Sequence, residues 1–289
     1  MLSKWLVLSL GVIATSAAAP NAPATAAQAD IAAIESTLDV PQLMKENRLP
    51  GMSVAVVRGF RIAWAKGYGS TEPGGGRPVT PRTLLLAGSI SKPVTALGAL
   101  LLVESGKLSL DEDVNVRLKS WRVPANSYDA HEKVTLARLL SHTAGFTGGE
   151  FFPGYTVGEP VPTLVQVLDG QVPARNPPVR LGAIPGSKWQ YSGDGYLVVQ
   201  QLMMDASGES FPRLMRALVF DPLAMRSSTF EQPLPNGPDT LASPGTLAGG
   251  ATVPGRWHIQ PEMAAGGLWT TPSDLARLAI AVARAYKDD

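Results

Sequence analysis

A chain of 289 residues, 45% hydrophobic and 17% charged, can bury a sizeable core as one large domain or two intimate ones. A formal net charge of +1, with no dense basic run, gives no basis for a nucleic-acid partner. The lack of cysteine excludes disulfides, thiolate metal sites, a cysteine nucleophile and a lipoprotein anchor.

The first residues read as an export signal. Lys4 gives the positive start and Trp5 to Ile13 a short apolar run. Ala27-Gln28-Ala29 before Asp30 is the preferred cleavage site, since Pro20 disfavours Ala17-Ala18-Ala19. The apolar run falls well short of the ~18 residues of a membrane span, so no stable insertion is expected after cleavage. The mature chain is expected in the periplasm or outside the cell. Residues 1–29 are assigned to the signal and 30–83 to the N-terminal part of an α/β region. A mainly helical region is assigned to 84–256, and 257–289 begins a return to the α/β region.

Asp30 can cap a short helix with Ile31, Ile34 and Leu38 on its apolar face, before Pro41 breaks or kinks it. Gly51–Arg58 and Arg61–Tyr68 read as two strands, with Gly59-Phe60 making a tight hairpin. The run Pro73-Gly74-Gly75-Gly76-Arg77-Pro78 reads as a loop. Next comes Leu84-Leu85-Leu86-Ala87-Gly88-Ser89-Ile90-Ser91-Lys92-Pro93. Pro93 must lie in the first turn of a helix, so that helix starts near Ser89 and runs to Gly106, a left-handed stop. Its apolar composition predicts burial on nearly all sides.

Further on, Thr135 caps a short helix through Leu136, Leu139 and Leu140, and residues 146–185 read as long irregular structure. A helix with Tyr196, Val199, Met203 and Ala206 on its buried stripe is closed by Gly208, and another covers Phe211 to Val219. A polar Pro/Gly-rich passage fills 232–256. Thr271-Pro272-Ser273-Asp274 resembles a capping box that opens a last helix, to Tyr286. Only two convincing strands emerge.

Ser89 and Lys92, three apart, share a face at a helix N-terminus, while Ser91 points elsewhere. Partial desolvation there makes a lysine a usable base, which is the layout of a serine nucleophile activated by lysine. Ser-x-x-Lys carries little information alone, since any helix start with a solvated lysine can produce it. Other chemistries find less support. The nearest approach to a Gly-x-Ser-x-Gly elbow is Gly51-Met52-Ser53-Val54-Ala55, inside a strand. His131-Glu132 lacks the second histidine of a zinc helix, so neither metal nor cofactor is expected.

Gly88–Pro93 with Glu104–Leu108, Leu139–Gly145, Pro185-Gly186 through Tyr191-Ser192-Gly193, Asp221–Met225 and Gly266–Leu275 form an ordered set. In that order they resemble the serine β-lactamase and penicillin-binding-protein superfamily, in particular its class C-like hydrolases and esterases. The resemblance implies an α+β fold, an antiparallel sheet flanked by helices with a helical region, and further strands expected after residue 289. It implies Ser89 as the acyl-accepting nucleophile, Lys92 as its base and Tyr191 as the proton-transferring tyrosine of a Tyr-x-Asn motif. The backbone N–H of Ser89 would be one oxyanion donor. Gly193 stands where the family often has a substrate-binding asparagine, which turns the expectation toward esters. The family's third motif, a Lys/His/Trp-x-Gly near the C-terminus, is not found. His142 belongs to a loop motif with a packing role. The implied function is an exported serine hydrolase forming an acyl-enzyme on small-molecule ester, amide or peptidoglycan-like substrates. The alternatives are D-alanyl carboxypeptidase or β-lactamase activity, or a non-catalytic sensor or binding protein on the same scaffold.

Overall fold

The computed structural model describes residues 33–34, 37, 39–128, 132–149, 152–235, 241–247 and 249–287. The export signal, the cap at Asp30, Ile31, Leu38 and His131 lie outside them. A short helix, α1 (Val40–Glu46), holds Pro41 in its first turn, where a missing N–H costs nothing. The chain divides into two compact units, one ending at Leu43 and the other beginning at Met44. The second carries every element from the first strand onward.

Strands β1 (Gly51–Arg58) and β2 (Arg61–Glu72) pair antiparallel, with Gly51 opposite Gly69 and Arg58 opposite Arg61. The two residues between them, Gly59 and Phe60, have φ of 56° and 58°. Positive φ at both positions is the tight turn whose twist matches the strands it joins. The glycine-rich run read as a loop is instead a third strand, β3 (Gly75–Pro78), paired with β2. Glycine leaves no alternating side-chain pattern to read, and an edge position tolerates Pro78, which needs no ladder donor there.

After β4 (Leu85–Leu86) a 3₁₀ turn over Gly88–Ile90 leads into α2 (Ser91–Glu104). Gly106, at φ 72°, ends that helix as expected. Burial on all sides does not hold, because Leu100 is exposed and the buried side includes Ser91, Lys92 and Thr95. Thr135 caps α3 (Leu136–Leu140) by accepting from the Arg138 N–H. The stretch 146–185 is less irregular than composition suggests. It holds β5 (Tyr155–Thr156) and α4 (Leu164–Asp169), opened by a complete capping box between Thr163 and Gln166.

Helix α5 (Gly193–Ser207) is buried at every position from Gly195 to Met203, far more than one stripe. It lies within the main hydrophobic cluster with Leu102, Leu136, Leu168, Phe211, Phe220 and Phe230. The helix expected over Phe211–Val219 is α6 (Phe211–Met215) followed by a π-helical turn over Arg216–Phe220. Then come β6 (His258–Ile259), α7 (Met263–Gly266), β7 (Trp269–Thr270) and α8 (Pro272–Lys287). β6 pairs with β5, and β7 with β4. The Ala87 N–H extends the second ladder by donating to Leu268 O at 2.8 Å. Late chain is thereby knitted to the residues just before Ser89. At α8 half of the capping box forms: Thr271 Oγ1 accepts from the Asp274 N–H, while the Asp274 carboxylate turns to Ser227, Ser228 and Arg277. No helix among the described residues is long and apolar enough to cross a membrane.

Candidate active site

The turn before α2 is shaped by Gly88, whose φ of 52° an L side chain rarely adopts. Ser91, fully buried, pins that turn. Its hydroxyl donates to Gly88 O at 2.6 Å and accepts from the Leu268 N–H at 3.0 Å. The serine expected to point elsewhere does so, inward, and leaves Ser89 exposed. One turn along the same face, Lys92 is only 5% exposed.

Two groups converge on Ser89 Oγ. Lys92 Nζ donates to it at 3.2 Å and the Tyr191 hydroxyl at 2.8 Å. Lys92 is oriented by a second bond, to Ala265 O at 2.8 Å, at the end of α7. That short helix is held in turn by Gln200, fully buried on α5. Its side-chain oxygen accepts from the Ala264 N–H at 2.9 Å, and its nitrogen donates to Pro261 O at 3.1 Å. Thr95, one turn after Lys92, donates to Ala264 O. The ammonium stands 4.9 Å from the Tyr191 ring centroid and 5.7 Å from that of Tyr196, within cation–π range of both.

The two phenols beside Lys92 are pushed apart. Burial opposes ionisation of Tyr191, but hydrogen bonds with Lys92 and Ser89 and the lysine charge outweigh it and hold the phenol below its ordinary range. Tyr196 is pushed up to about 12 by burial and by Tyr191, and its hydroxyl donates to Leu140 O. Of these two phenols, Tyr191 is the one hydrogen-bonded to Ser89.

This arrangement can form an acyl-enzyme: an exposed hydroxyl at a helix start, with a buried ammonium and a tuned phenol on it. The sequence profile of the Beta-lactamase family matches residues 39–288. The chain belongs to that family. It is 31% identical to esterase EstB of Burkholderia gladioli over 71% of its own length and 54% of that protein's. Among solved structures it is similar to an octameric penicillin-binding protein homologue from Pyrococcus abyssi. That match has a TM-score of 0.65 and 27% identity over 87% of this chain and 56% of the other. It is likewise similar to a class C β-lactamase, with a TM-score of 0.66 and 26% identity over 86% and 64% of the two chains. The chain spans about half the length of the curated relatives it matches. Its fold is the α+β fold of β-lactamases and transpeptidases.

Gly193 is the position at which the resemblance implies a substrate-binding asparagine. A Cβ at this position would lie 2.0 Å from Gly149 O and 2.7 Å from Phe152 Cε2. Main chain fills the space of the missing side chain. The Gly193 N–H donates to Gly149 O at 3.1 Å, so Gly193 presents no donor to a substrate. Beside it Asp194, pushed up to about 6 by burial, lies against Gly148 and Gly149.

Four contributors escaped sequence reasoning: Ala265, Gln200, Thr95 and the double role of Ser91. Gln200 and Thr95 left a signal, as polar residues within apolar helical runs, where a buried amide or hydroxyl needs a partner. Ala265 acts through its carbonyl and left none. Among the described residues no cluster of three or more His, Cys, Asp or Glu could hold a metal ion.

Proposed function

We propose that the protein is an exported serine hydrolase that forms an acyl-enzyme on Ser89, acting chiefly on small-molecule esters. The observation that carries this reading is the convergence of Lys92 Nζ and the Tyr191 hydroxyl on one exposed serine oxygen. Ser89 Oγ attacks the ester carbonyl carbon while its proton passes to the Tyr191 phenolate, which the Lys92 charge stabilises, so that in this reading Tyr191 takes the role of base that the resemblance gives to Lys92. The developing oxyanion is met by the Ser89 backbone N–H. Collapse breaks the carbonyl–oxygen bond to the leaving alcohol, which takes the proton back from Tyr191. Water then attacks the acyl carbon and gives a proton to the Tyr191 phenolate, which returns it to Ser89 Oγ as the acyl–oxygen bond breaks and the acid leaves. The preference for esters rests on Gly193: with main chain in the asparagine's space, no side chain there can hold a substrate amide. Export rests on Lys4, the apolar run and Ala27-Gln28-Ala29.

A fluorophosphonate probe and a p-nitrophenyl short-chain ester test the chemistry, read by intact mass and peptide mapping. The expected result is one label on Ser89, lost in Ser89→Ala. A label on Ser91 would defeat the assignment, and no label would favour a binding or sensor protein. Comparing kcat/KM for esters, penicillins and D-alanyl peptides tests the preference. A β-lactam turned over as fast as the best ester would overturn it.

A further inference from the structure

His142 follows α3 with φ of 59°, a left-handed conformation uncommon for a residue with a side chain. Neighbouring bonds hold it there: the Thr143 N–H donates to Arg138 O at 2.8 Å, and the hydroxyls of Ser141 and Thr143 bond at 2.9 Å. The backbone turn aims two acceptors of His142 at one short segment. Its carbonyl accepts from the Gln190 N–H at 2.8 Å, and its Nδ1 accepts from the Ser192 N–H at 3.1 Å. The residue between those two donors is Tyr191. The imidazole also packs on the phenol ring, with centroids 4.5 Å apart. A main-chain N–H can only donate, so Nδ1 carries no proton and the neutral ring carries it on Nε2.

We infer that His142, as this neutral tautomer, is a positioning residue for Tyr191, bracketing it between two accepted N–H groups and its own ring face, and that protonating Nδ1 opens the bracket. The inference rests on the reading that Tyr191 serves Ser89, and goes beyond a packing role for the histidine. The titratable groups facing the ring are Lys92 from α2, Tyr191 itself and Tyr196 from α5. Burial first, and then the Lys92 charge, hold the imidazole below its ordinary value, so the bracket stays closed at neutral pH. As pH falls, Nδ1 becomes a donor facing the Ser192 donor. The phenol then loses its fixed place over Ser89, and activity falls with His142.

The test follows kcat and KM against pH for wild type, His142→Phe and His142→Asn on a p-nitrophenyl ester. Phenylalanine keeps a ring but removes the acceptor, so kcat should fall about 10- to 100-fold with KM little changed, the cost of a misplaced catalytic group. Asparagine tolerates positive φ, and its Oδ1 can accept in place of Nδ1 without taking a proton. It should recover most of that loss and lack the acid limb that wild type shows below about 6.5, the ordinary histidine value. An unchanged acid limb in His142→Asn, or wild-type kcat in His142→Phe, would overturn the inference. A readout free of activity is nitrogen NMR of wild-type His142 with the Ser192 amide. An Nε2–H ring whose titration shifts that amide supports the bracket, and an Nδ1–H ring at neutral pH defeats it. If wild type takes no fluorophosphonate, the serine-hydrolase reading fails, while the NMR titration still decides the bracket.

Discussion

In α5, eleven of fifteen residues are buried, whereas β1 has none, and Val57 at its end is 41% exposed. The proposed chemistry is braced by the first kind of structure. Ser89 lies in the 3₁₀ turn before α2 and Lys92 in its first turn, Tyr191 stands two residues before α5, and the carbonyl that aims Lys92 belongs to α7, which Gln200 of α5 holds. Hydrogen bonds that must meet at one oxygen need side chains whose rotamers are locked by packing on several sides, and α5 supplies that packing. The hairpin can afford looser burial because its ladder sets its geometry without a filled core. Substitutions near the site should therefore act sharply, and those on the hairpin weakly.

The sharpest contrast is between two tyrosines on the same lysine. Tyr191→Phe removes the hydroxyl on Ser89 and should lower kcat by about 10²–10⁴, the usual worth of a positioned acid–base group. Tyr196→Phe removes only a bond to Leu140 O and should cost far less. Stopped-flow acylation by a p-nitrophenyl ester measures both, and equal losses would break the distinction. Next in size comes packing. Leu197, fully buried on α5, should cost about 2–5 kcal/mol as Leu197→Ala in urea unfolding. Val57→Thr on β1 should stay within about 0.5 kcal/mol. Comparable losses would mean that the hairpin is as tightly built as the helices.

A further prediction concerns a flaw in the better-packed region. Glu262, at the start of α7, is 3% exposed, its Oε2 has no hydrogen-bond partner, and burial pushes its carboxyl up to about 7. Between the ordinary glutamate value and about 7 the folded protein keeps a proton that the unfolded chain has lost, so stability falls as pH rises through that window. Glu262→Gln has no proton to lose. It should match wild type below the window and exceed it above by on the order of 2–3 kcal/mol. Melting curves from pH 4 to 8 test this, and a gap that does not widen with pH would sink it.

What the sequence by itself determined is local. The Gly59-Phe60 hairpin, the glycine stops at Gly106 and Gly208, the Thr135 cap and the shared face of Ser89 and Lys92 each depend on residues a few positions apart. Torsional preference and helical period act at that range. The Thr163–Gln166 capping box was equally legible, but the surrounding glycine and proline masked the helix it opens. Tyr191 entered through family resemblance, because nothing in its neighbours says that a serine 102 positions away will lie 2.8 Å from its hydroxyl. The Ala265 carbonyl on Lys92, the Ser192 amide on His142 and the Gly149 carbonyl filling the space beside Gly193 are likewise meetings of distant chain. Tertiary structure alone decided these. The partners are main-chain groups that every residue carries, so packing, not residue type, selects which of them arrive.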